Sequence, residues 1–291
     1  SLSFFNEEGI LANGAVLFGD HYSEHKTDVQ CSVFSGFTKG SERIVSVNRF
    51  SGNITQTIDY MYSFVMQRMN HTIIKKAESH IEIDAYPKRA LFEGIINAVA
   101  HRDYFLDGTQ IQVDIFRDRL EISSPGSFYH GEPLSKTYDL SKIISKRRNE
   151  LICGILVQCE VMEAAGTGFD KINEEYRDAD SAHRPYIYSA TDHFTLVLPD
   201  LSFSEGISNN LLPVLEFPPV PGGSRFDEQI LSFCYGKARK SVEIADYLGI
   251  SNSTHLKEKI LGVLVNNGYL SREKVSRSFF FKTNPDMVRE K

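Results

Sequence analysis

No stretch of this sequence strings together the roughly 18–20 apolar side chains that a membrane-crossing helix needs. The longest apolar candidates, Ile152–Val157 and Leu196–Leu198, are core-sized. No signal peptide is visible. Cysteine is scarce: Cys31, Cys153, Cys159 and Cys234 lack CxxC spacing, which fits reduced thiols in a cytosol rather than a disulfide framework. The histidines show neither an HExxH string nor paired Cys/His spacing, which argues against structural zinc. A G-x-x-x-x-G-K-[ST] string is missing, so no P-loop motor is indicated. Internal repeats and low-complexity runs are missing too. Tryptophan is absent, which decides nothing. The sequence opens on Ser1 instead of Met, so a preceding segment is expected.

What is present is ordinary for globular chains: 41% hydrophobic and 24% charged residues. A length of 291 residues predicts about two domains, or three small ones. The net charge of −6 is unevenly placed. Residues 225–291 carry 12 Lys and Arg against 8 Asp and Glu, a balance of +4, which leaves −10 for the rest. That asymmetry suggests that the C-terminal part meets a polyanion, although chance composition explains so modest an excess equally well.

Four segments follow from patterning. Residues 1–78 read as strands and then a helix. Asn13-Gly14 predicts a hairpin turn, Val29–Phe34 and Ile44–Phe50 predict strands, and Ile58, Tyr62, Val65 and Met69 predict one face of a helix over Thr55–Lys75. Residues 79–200 mix elements. A strand at Ile81–Ala85 precedes a helix with Pro87 in its first turn and Leu91, Ile95 and Val99 on its apolar face. Strands are expected at Thr109–Phe116 and Arg119–Ser123, and helices from about Leu140 and over Glu150–Glu163. Gly166-Thr167-Gly168 precedes a further helix at Phe169–Arg177, and strands near Tyr186–Ala190 and Phe194–Leu198 close the segment. This is an α+β layer pattern, with helices on one face of a mostly antiparallel sheet. Residues 201–224, with Pro213, Pro218, Pro219, Pro221 and Gly222-Gly223, read as a linker. Residues 225–291 predict three helices and a hairpin. Ser241 caps the second helix, Gly249 turns it, Ser251 or Ser253 caps the third, and a charged Ser271–Lys274 turn joins the hairpin strands.

Three helices followed by a hairpin describe a helix-turn-helix with a wing. In that arrangement the start of the third helix faces base edges in the major groove. Here it presents Asn252, Ser253, Thr254, His255 and Lys257, while Arg272, Lys274 and Arg277 lie on or beside the wing within reach of phosphates. The same architecture also serves protein contacts, and polar helix starts are ordinary caps. "SVEIADYLGISNSTHLKEKILGVLVNNGYL" resembles the winged-helix tail of many bacterial transcription regulators.

Glu93 and Asn97 stand four apart on one helix face, where an Asn amid apolar residues needs a partner. A satisfied buried pair and a ligand-binding pair both fit that spacing. "ALFEGIINAVAHRDY" resembles the N box of the GHKL ATPases. Together with "DRLEISSPG" and "SKRRNELICGILVQCEVMEAAGTGF" it is similar to the divergent GHKL domain of bacterial RecG-related transcription regulators, over about residues 81–200. "EEGILANGAVLFGD" through "RFSGNI" resembles the later part of the Schlafen/AlbA-like domain that precedes it in such proteins.

The fold implied is a GHKL-like α/β sandwich preceded by a partial AlbA-like α+β segment and followed by a winged helix. The resemblance implies that Glu93 acts on the attacking water, that Asn97 holds Mg²⁺, and that ATP is the cofactor. Ser124, before Pro125-Gly126, stands where the family carries an Asp for adenine. A hydroxyl there accepts but is uncharged and shorter. Gly126 would belong with Ser124 to the cofactor-binding first glycine box, and Gly166 and Gly168 would let backbone N–H groups approach phosphates, although GTG also fits an ordinary helix end. Arg147-Arg148-Asn149 reads either as a phosphate-reaching or as a solvated turn. His101, Arg102 and Asp103 fit the family signature and fit helix-end capping as well. The expectation is a cytoplasmic, homodimeric regulator binding double-stranded DNA. A Mg²⁺-dependent ATPase and a protein-interaction module are the alternatives. The retained N-terminal part shows no acidic cluster of the kind a nuclease needs.

Overall fold

In this computed structural model the described residues are 5, 8–10, 13–20, 26–40, 43–75, 80–128, 133–144, 146–163, 166–180, 183–203, 212–213, 215–275 and 278–290. The chain divides into two compact units, the first of residues 1–33 and 46–206, the second of residues 34–45 and 207–291. The boundary expected at residue 78 does not separate compact units. The N-terminal strand 29–34 is hydrogen-bonded into the same sheet as the central strands.

The first unit runs α1 (Asn13–Val16), β1 (Val29–Phe34), β2 (Ile44–Phe50), α2 (Ile54–Met66), β3 (His71–Lys75), β4 (His80–Asp84), α3 (Lys88–Ala100), β5 (Ile111–Ile115), β6 (Arg119–Pro125), β7 (Leu134–Thr137), α4 (Glu150–Gln158), α5 (Gly168–Glu175), β8 (Tyr186–Ser189) and β9 (His193–Pro199). Seven strands form one sheet in the order β2-β1-β5-β6-β9-β8-β7. The β1–β5 junction is parallel, and every junction from β5 to β7 is antiparallel. The expected α+β architecture is therefore present as a large mixed sheet with helices packed on it.

Helix α3 packs tightly on the sheet at Gly94, which has no side chain. A Cβ there would come within 2.7 Å of Leu196 and 3.2 Å of Ile122. Leu91, Ile95 and Val99 continue that apolar face into the core with Met61, Val113, Ile122 and Leu196. Burying such side chains at close packing supplies most of the unit's stability, and each fully buried Leu or Ile contributes about 1.5–3 kcal/mol.

Several local expectations are corrected. Asn13-Gly14 opens a short helix instead of a hairpin turn. Gly14 lies against α4, where a Cβ would meet Leu151 at 3.0 Å, so the glycine serves close packing. Helix α2 stops at Met66, well short of Lys75. His71–Lys75, with three β-branched residues in five, pairs antiparallel with β4. Met69 completes the apolar period from outside the helix, buried at 6% exposure. Leu140–Lys142 is a single 3₁₀ turn that buries Leu140. The strand β7 has no counterpart in the sequence pattern.

The second unit runs β10 (Leu215–Glu216), α6 (Asp227–Tyr235), β11 (Arg239–Lys240), α7 (Ser241–Leu248), a π-helical stretch His255–Leu261 continuing into α8 (Gly262–Asn266), β12 (Leu270–Val275), β13 (Ser278–Thr283) and β14 (Arg289–Glu290). β11, β13 and β12 form a three-stranded sheet, and β10 pairs with β14 inside what reads as linker. Ile230, Leu231, Ile244, Leu248, Leu256, Ile260, Leu264 and Leu270 are buried in this unit. The Phe233 ring stacks on Tyr247 at 4.2 Å, and Phe37, in the 34–45 excursion, lies 6.0 Å from the same Tyr247 ring.

Gly249 ends α7 at φ +66, a left-handed turn that favours glycine. The cap of α7 falls on Lys240, with Ser241 already inside the helix, and the Lys240 backbone N–H donates to Glu243 at 2.7 Å. Ser253 accepts from the Leu256 backbone N–H at 3.3 Å at the start of the third helical segment. Ser271–Lys274 is strand, not turn: β12 and β13 pair from Leu270↔Thr283 to Val275↔Ser278. Among the described residues no helix is long and apolar enough to cross a membrane.

Candidate functional site

The C-terminal end of α3 is the hub of the site. Asn149 closes it by donating its amide to the carbonyls of Ala100 (3.0 Å) and Arg102 (2.8 Å). Arg102, 1% exposed, turns away and donates to the carbonyls of Asp28 (3.2 Å) and Thr109 (2.7 Å). Its role is to anchor β1 and the approach to β5. Asp103 accepts from the Phe105 N–H at 3.0 Å and sits 3.8 Å from Arg148, and Tyr104 donates to the Val99 carbonyl. Of the HRD signature, His101 alone lines the adjoining cavity. Burial first, then Arg148 and Arg147, lower its pKa, so its ring is neutral at pH 7.

That cavity has a volume of about 460 Å³ and three kinds of lining residue. Asn97, His101 and Ser124 are polar, and Gly126, Gly166 and Gly168 also line it. Lys146, Arg147 and Arg148 are cationic. Phe128, Phe169, Phe194, Ile143 and Ile144 are apolar. The Phe128 and Phe194 rings stack at 6.1 Å, and Phe169 leans on Phe194 at 6.5 Å.

Two glycines shape the cavity. Gly126 adopts φ +103, and a Cβ there would collide with the Arg148 guanidinium and come within 2.8 Å of Asp103 Cβ. Arg148 is held over it by donating to the Ser127 carbonyl at 2.6 Å. A Cβ on Gly168 would come within 2.5 Å of Glu93 Oε1 and 3.1 Å of Asn97 Nδ2. The start of α5 therefore lies directly on the polar pair of α3. Ser124 donates to the Ala98 carbonyl at 2.7 Å, so towards a ligand its hydroxyl can only accept.

Residues 108–198 match the sequence family described as "Putative ATP-dependent DNA helicase recG C-terminal". The match supports reading this segment as similar to a RecG-related, GHKL-like domain. A solved structure, the crystal structure of the DIP2311 protein from Corynebacterium diphtheriae, is similar with a TM-score of 0.56 at 15% identity, over 96% of this chain and 56% of that one. The likeness is one of fold, and this chain spans just over half the length of that protein. No curated protein matches the chain.

Within the GHKL-like segment lie Ser124, Gly126, Gly166 and Gly168; Glu93 and Asn97 precede it on α3. The structure brings Asn97, Ser124, Gly126, Gly166 and Gly168 onto one cavity. Glu93 is not among the residues lining it. The carboxylate is buried beneath Gly168 and ion-paired with Lys171 at 3.3 Å.

The three phenylalanines and Lys171 are absent from the sequence-based expectations. Phe194 follows from strand register, since it pairs with Ser124 across β6 and β9. Lys171 lies three residues beyond Gly168, within the first turn of α5. Among the described residues no three His, Cys, Asp or Glu side chains group as a metal site.

In the second unit Asn252, Thr254, His255 and Lys257 are exposed around the start of the third helical segment, whereas half-buried Ser253 accepts from the Leu256 N–H. Arg272 and Lys274 are exposed on β12. Their charges lie over the half-exposed Phe279 ring at 5.0 and 5.8 Å. Arg277 lies outside the described residues.

Proposed function

We propose that the chain is a nucleotide-responsive DNA-binding regulator, in which the GHKL-like domain binds an adenine nucleotide and the second unit contacts double-stranded DNA as a winged helix. The observation that carries the nucleotide reading is the cavity, whose lining combines three phenylalanines, three cationic side chains and a polar group of Asn97, His101 and Ser124. A purine is flat and apolar on its faces, so Phe128, Phe169 and Phe194 suit it. Phosphates suit Lys146, Arg147 and Arg148 and the N–H groups at the start of α5. The two glycines leave room where any Cβ would intrude.

Mg²⁺ fits this donor set through the amide oxygen of Asn97, with phosphates and water completing its shell, and when bound it would neutralise phosphate charge. Asn97 orients it, Ser124 accepts from the base, and neutral His101 leaves the phosphate charge to the arginines. Binding, rather than rapid hydrolysis, is the better-supported activity because Glu93 is paired and covered.

For the second unit, the exposed Asn252, Thr254, His255 and Lys257 supply base-edge and phosphate partners, and Arg272 and Lys274 supply phosphate partners. Two copies in a homodimer would match a two-fold operator. Localisation in the cytoplasm follows from the same reading.

The deciding experiment is an ATP titration with and without Mg²⁺, followed by melting temperature. A bound nucleotide at a hundred times its Kd raises stability by about 2.7 kcal/mol. A melting curve unmoved by ATP, ADP and Mg²⁺ together would overturn the nucleotide reading. Failure to retain duplex DNA at low salt would overturn the DNA reading and favour a protein-interaction module.

A further inference from the structure

Glu93 is a largely buried carboxylate that does not line the cavity its neighbours Asn97 and Gly168 line. It lies on α3 one turn before Asn97, and the backbone of Gly168 covers it closely enough that a Cβ would stand 2.5 Å from Oε1. Its other oxygen, Oε2, accepts from Lys171 Nζ at 3.3 Å. Both side chains of this pair are only 12% exposed.

The same ammonium reaches outward to Glu163 Oε1 at 2.8 Å, and Thr167 Oγ1 donates to Glu163 Oε2 at 3.2 Å. Glu163 and Lys171 flank the Gly166-Thr167-Gly168 turn. One lysine thus ties the two ends of the glycine turn together and ties the turn to α3. Hydrogen bonding to Lys171 holds the Glu163 carboxyl below the usual carboxylate range. Burial opposes the charge on Lys171, yet hydrogen bonding to Glu163 and attraction to Glu93 outweigh it and raise its pKa. Lys171 thus stands between two carboxyl groups, Glu93 on the inside and Glu163 on the outside.

A carboxylate that must accept a proton from an attacking water needs reach and a free lone pair. Glu93 lacks the first because Gly168 covers it, and its Oε2 already accepts from the Lys171 ammonium. We propose that Lys171 is a positioning residue that latches the glycine turn over Glu93, so that the domain holds nucleotide with its base masked and turns over only when the latch opens. This rests on the nucleotide reading above. Opening breaks the outer ion pair first, since Glu163 is 60% exposed on its side chain and Glu93 only 12%. Exposed ion pairs contribute little and are screened by salt, so the outer link is the weak point.

The test uses the whole chain and compares wild type with Glu163→Gln, Lys171→Met, Lys171→Arg and the double variant Lys171→Met/Glu93→Gln. Three quantities are read: the ATP-induced melting shift, phosphate release with Mg²⁺, and hydrogen exchange of residues 163–171 without nucleotide. Wild type is expected to bind ATP and release phosphate near background. Lys171→Met should raise phosphate release by roughly a hundredfold and speed exchange in the glycine turn. Glu163→Gln should do the same to a smaller degree.

Lys171→Arg should restore the masked state, and the double variant should return to background while still binding ATP. A lysine that merely stabilises the fold would not show gain of turnover reversed by Glu93→Gln. Wild-type turnover equal to that of Lys171→Met would overturn the latch, as would Lys171→Met that binds ATP with unchanged exchange and no gain. Loss of the ATP-induced shift in every protein, wild type included, is instead the failure of the nucleotide reading. Should Lys171→Met not fold, Glu163→Gln carries the same decision.

Discussion

On the proposed reading the cavity at the start of α5 and the surface around Lys257 and β12 would meet anions by different means. Lys146, Arg147 and Arg148 at the cavity are exposed, but two of its polar groups are held by their neighbours. Arg148 is pinned by the Ser127 carbonyl over Gly126, and Asn97 is pressed by Gly168. On the surface, Lys257, Arg272 and Lys274 are exposed, and Phe279 is the aromatic partner of the latter two. Held groups keep their orientation and depend on single ångströms. Exposed charges act additively, tolerate displacement and are screened by salt.

The largest expected effect separates the two by salt. If Lys257, Arg272 and Lys274 each neutralise a DNA phosphate, raising salt from about 50 to 200 mM should weaken DNA binding roughly 50-fold. Each Lys or Arg to Ala change should lower the logarithmic salt slope by about one. Nucleotide affinity measured over the same range by calorimetry should move less, because stacking on the phenylalanines, unlike a charge contact, is not screened by salt. Equal salt slopes for the two ligands would refute the distinction.

Next comes Gly126→Ala. The residue stands at φ +103, where an L side chain costs about 1–3 kcal/mol, and its methyl would displace the Arg148 guanidinium. Nucleotide affinity should fall roughly tenfold or more in a titration, and DNA affinity should not change. Gly249→Ala, at φ +66 in the second unit, is the matched control, expected to lower stability without affecting nucleotide binding.

How much of this was legible before any coordinates depended on whether the signal was local. The stretches Val29–Phe34 and Ile44–Phe50 read as strands with the bounds they adopt, because β-branched runs suit a pleated surface. Asn97, Ser124, Gly126, Gly166 and Gly168 could be named from a resemblance to the GHKL motifs, whose strings are short and local. The three phenylalanines could not: Phe194 reaches Ser124 through pairing of β6 with β9, 70 residues apart in sequence. Nor could Lys171, whose meaning depends on Glu93 far back in the chain. The overlong helix over Thr55–Lys75 came from periodicity that runs on through Met69, a core residue beyond the helix end.

A smaller effect measures whether the units open separately. Burial pushes the thiols of Cys31 and Cys234 up to about 12, and burial also raises that of Cys153. Only exposed Cys159 should react with a thiol reagent at pH 8 in the native protein. A thiol pKa raised above its unfolded value of 9 adds stability that is full below pH 9. That stability is lost as pH rises towards 12, because the unfolded chain gives up its protons first. In moderate urea, ATP at ten times its Kd should slow labelling of Cys153, beside α3, by roughly tenfold. Cys234 in the second unit should be unaffected if the units open independently. Equal protection of both would mean one cooperative transition.

The smallest effect concerns which base the cavity takes. The single hydrogen of the Ser124 hydroxyl goes to the Ala98 carbonyl, so only its lone pairs face a ligand. An adenine amino group can donate to it, whereas the guanine carbonyl at the equivalent ring position cannot. Ser124→Ala removes one acceptor from the site and one buried donor from α3, each worth about 1 kcal/mol. ATP affinity should therefore fall roughly fivefold with GTP affinity nearly unchanged, and stability should drop by a similar small amount. Ser124→Asp restores an acceptor and adds charge but gives up the bond to Ala98. It should recover the preference for ATP without recovering the melting temperature. If ATP and GTP bind alike to wild type and to both variants, Ser124 serves α3 alone, and base selection falls to the phenylalanines.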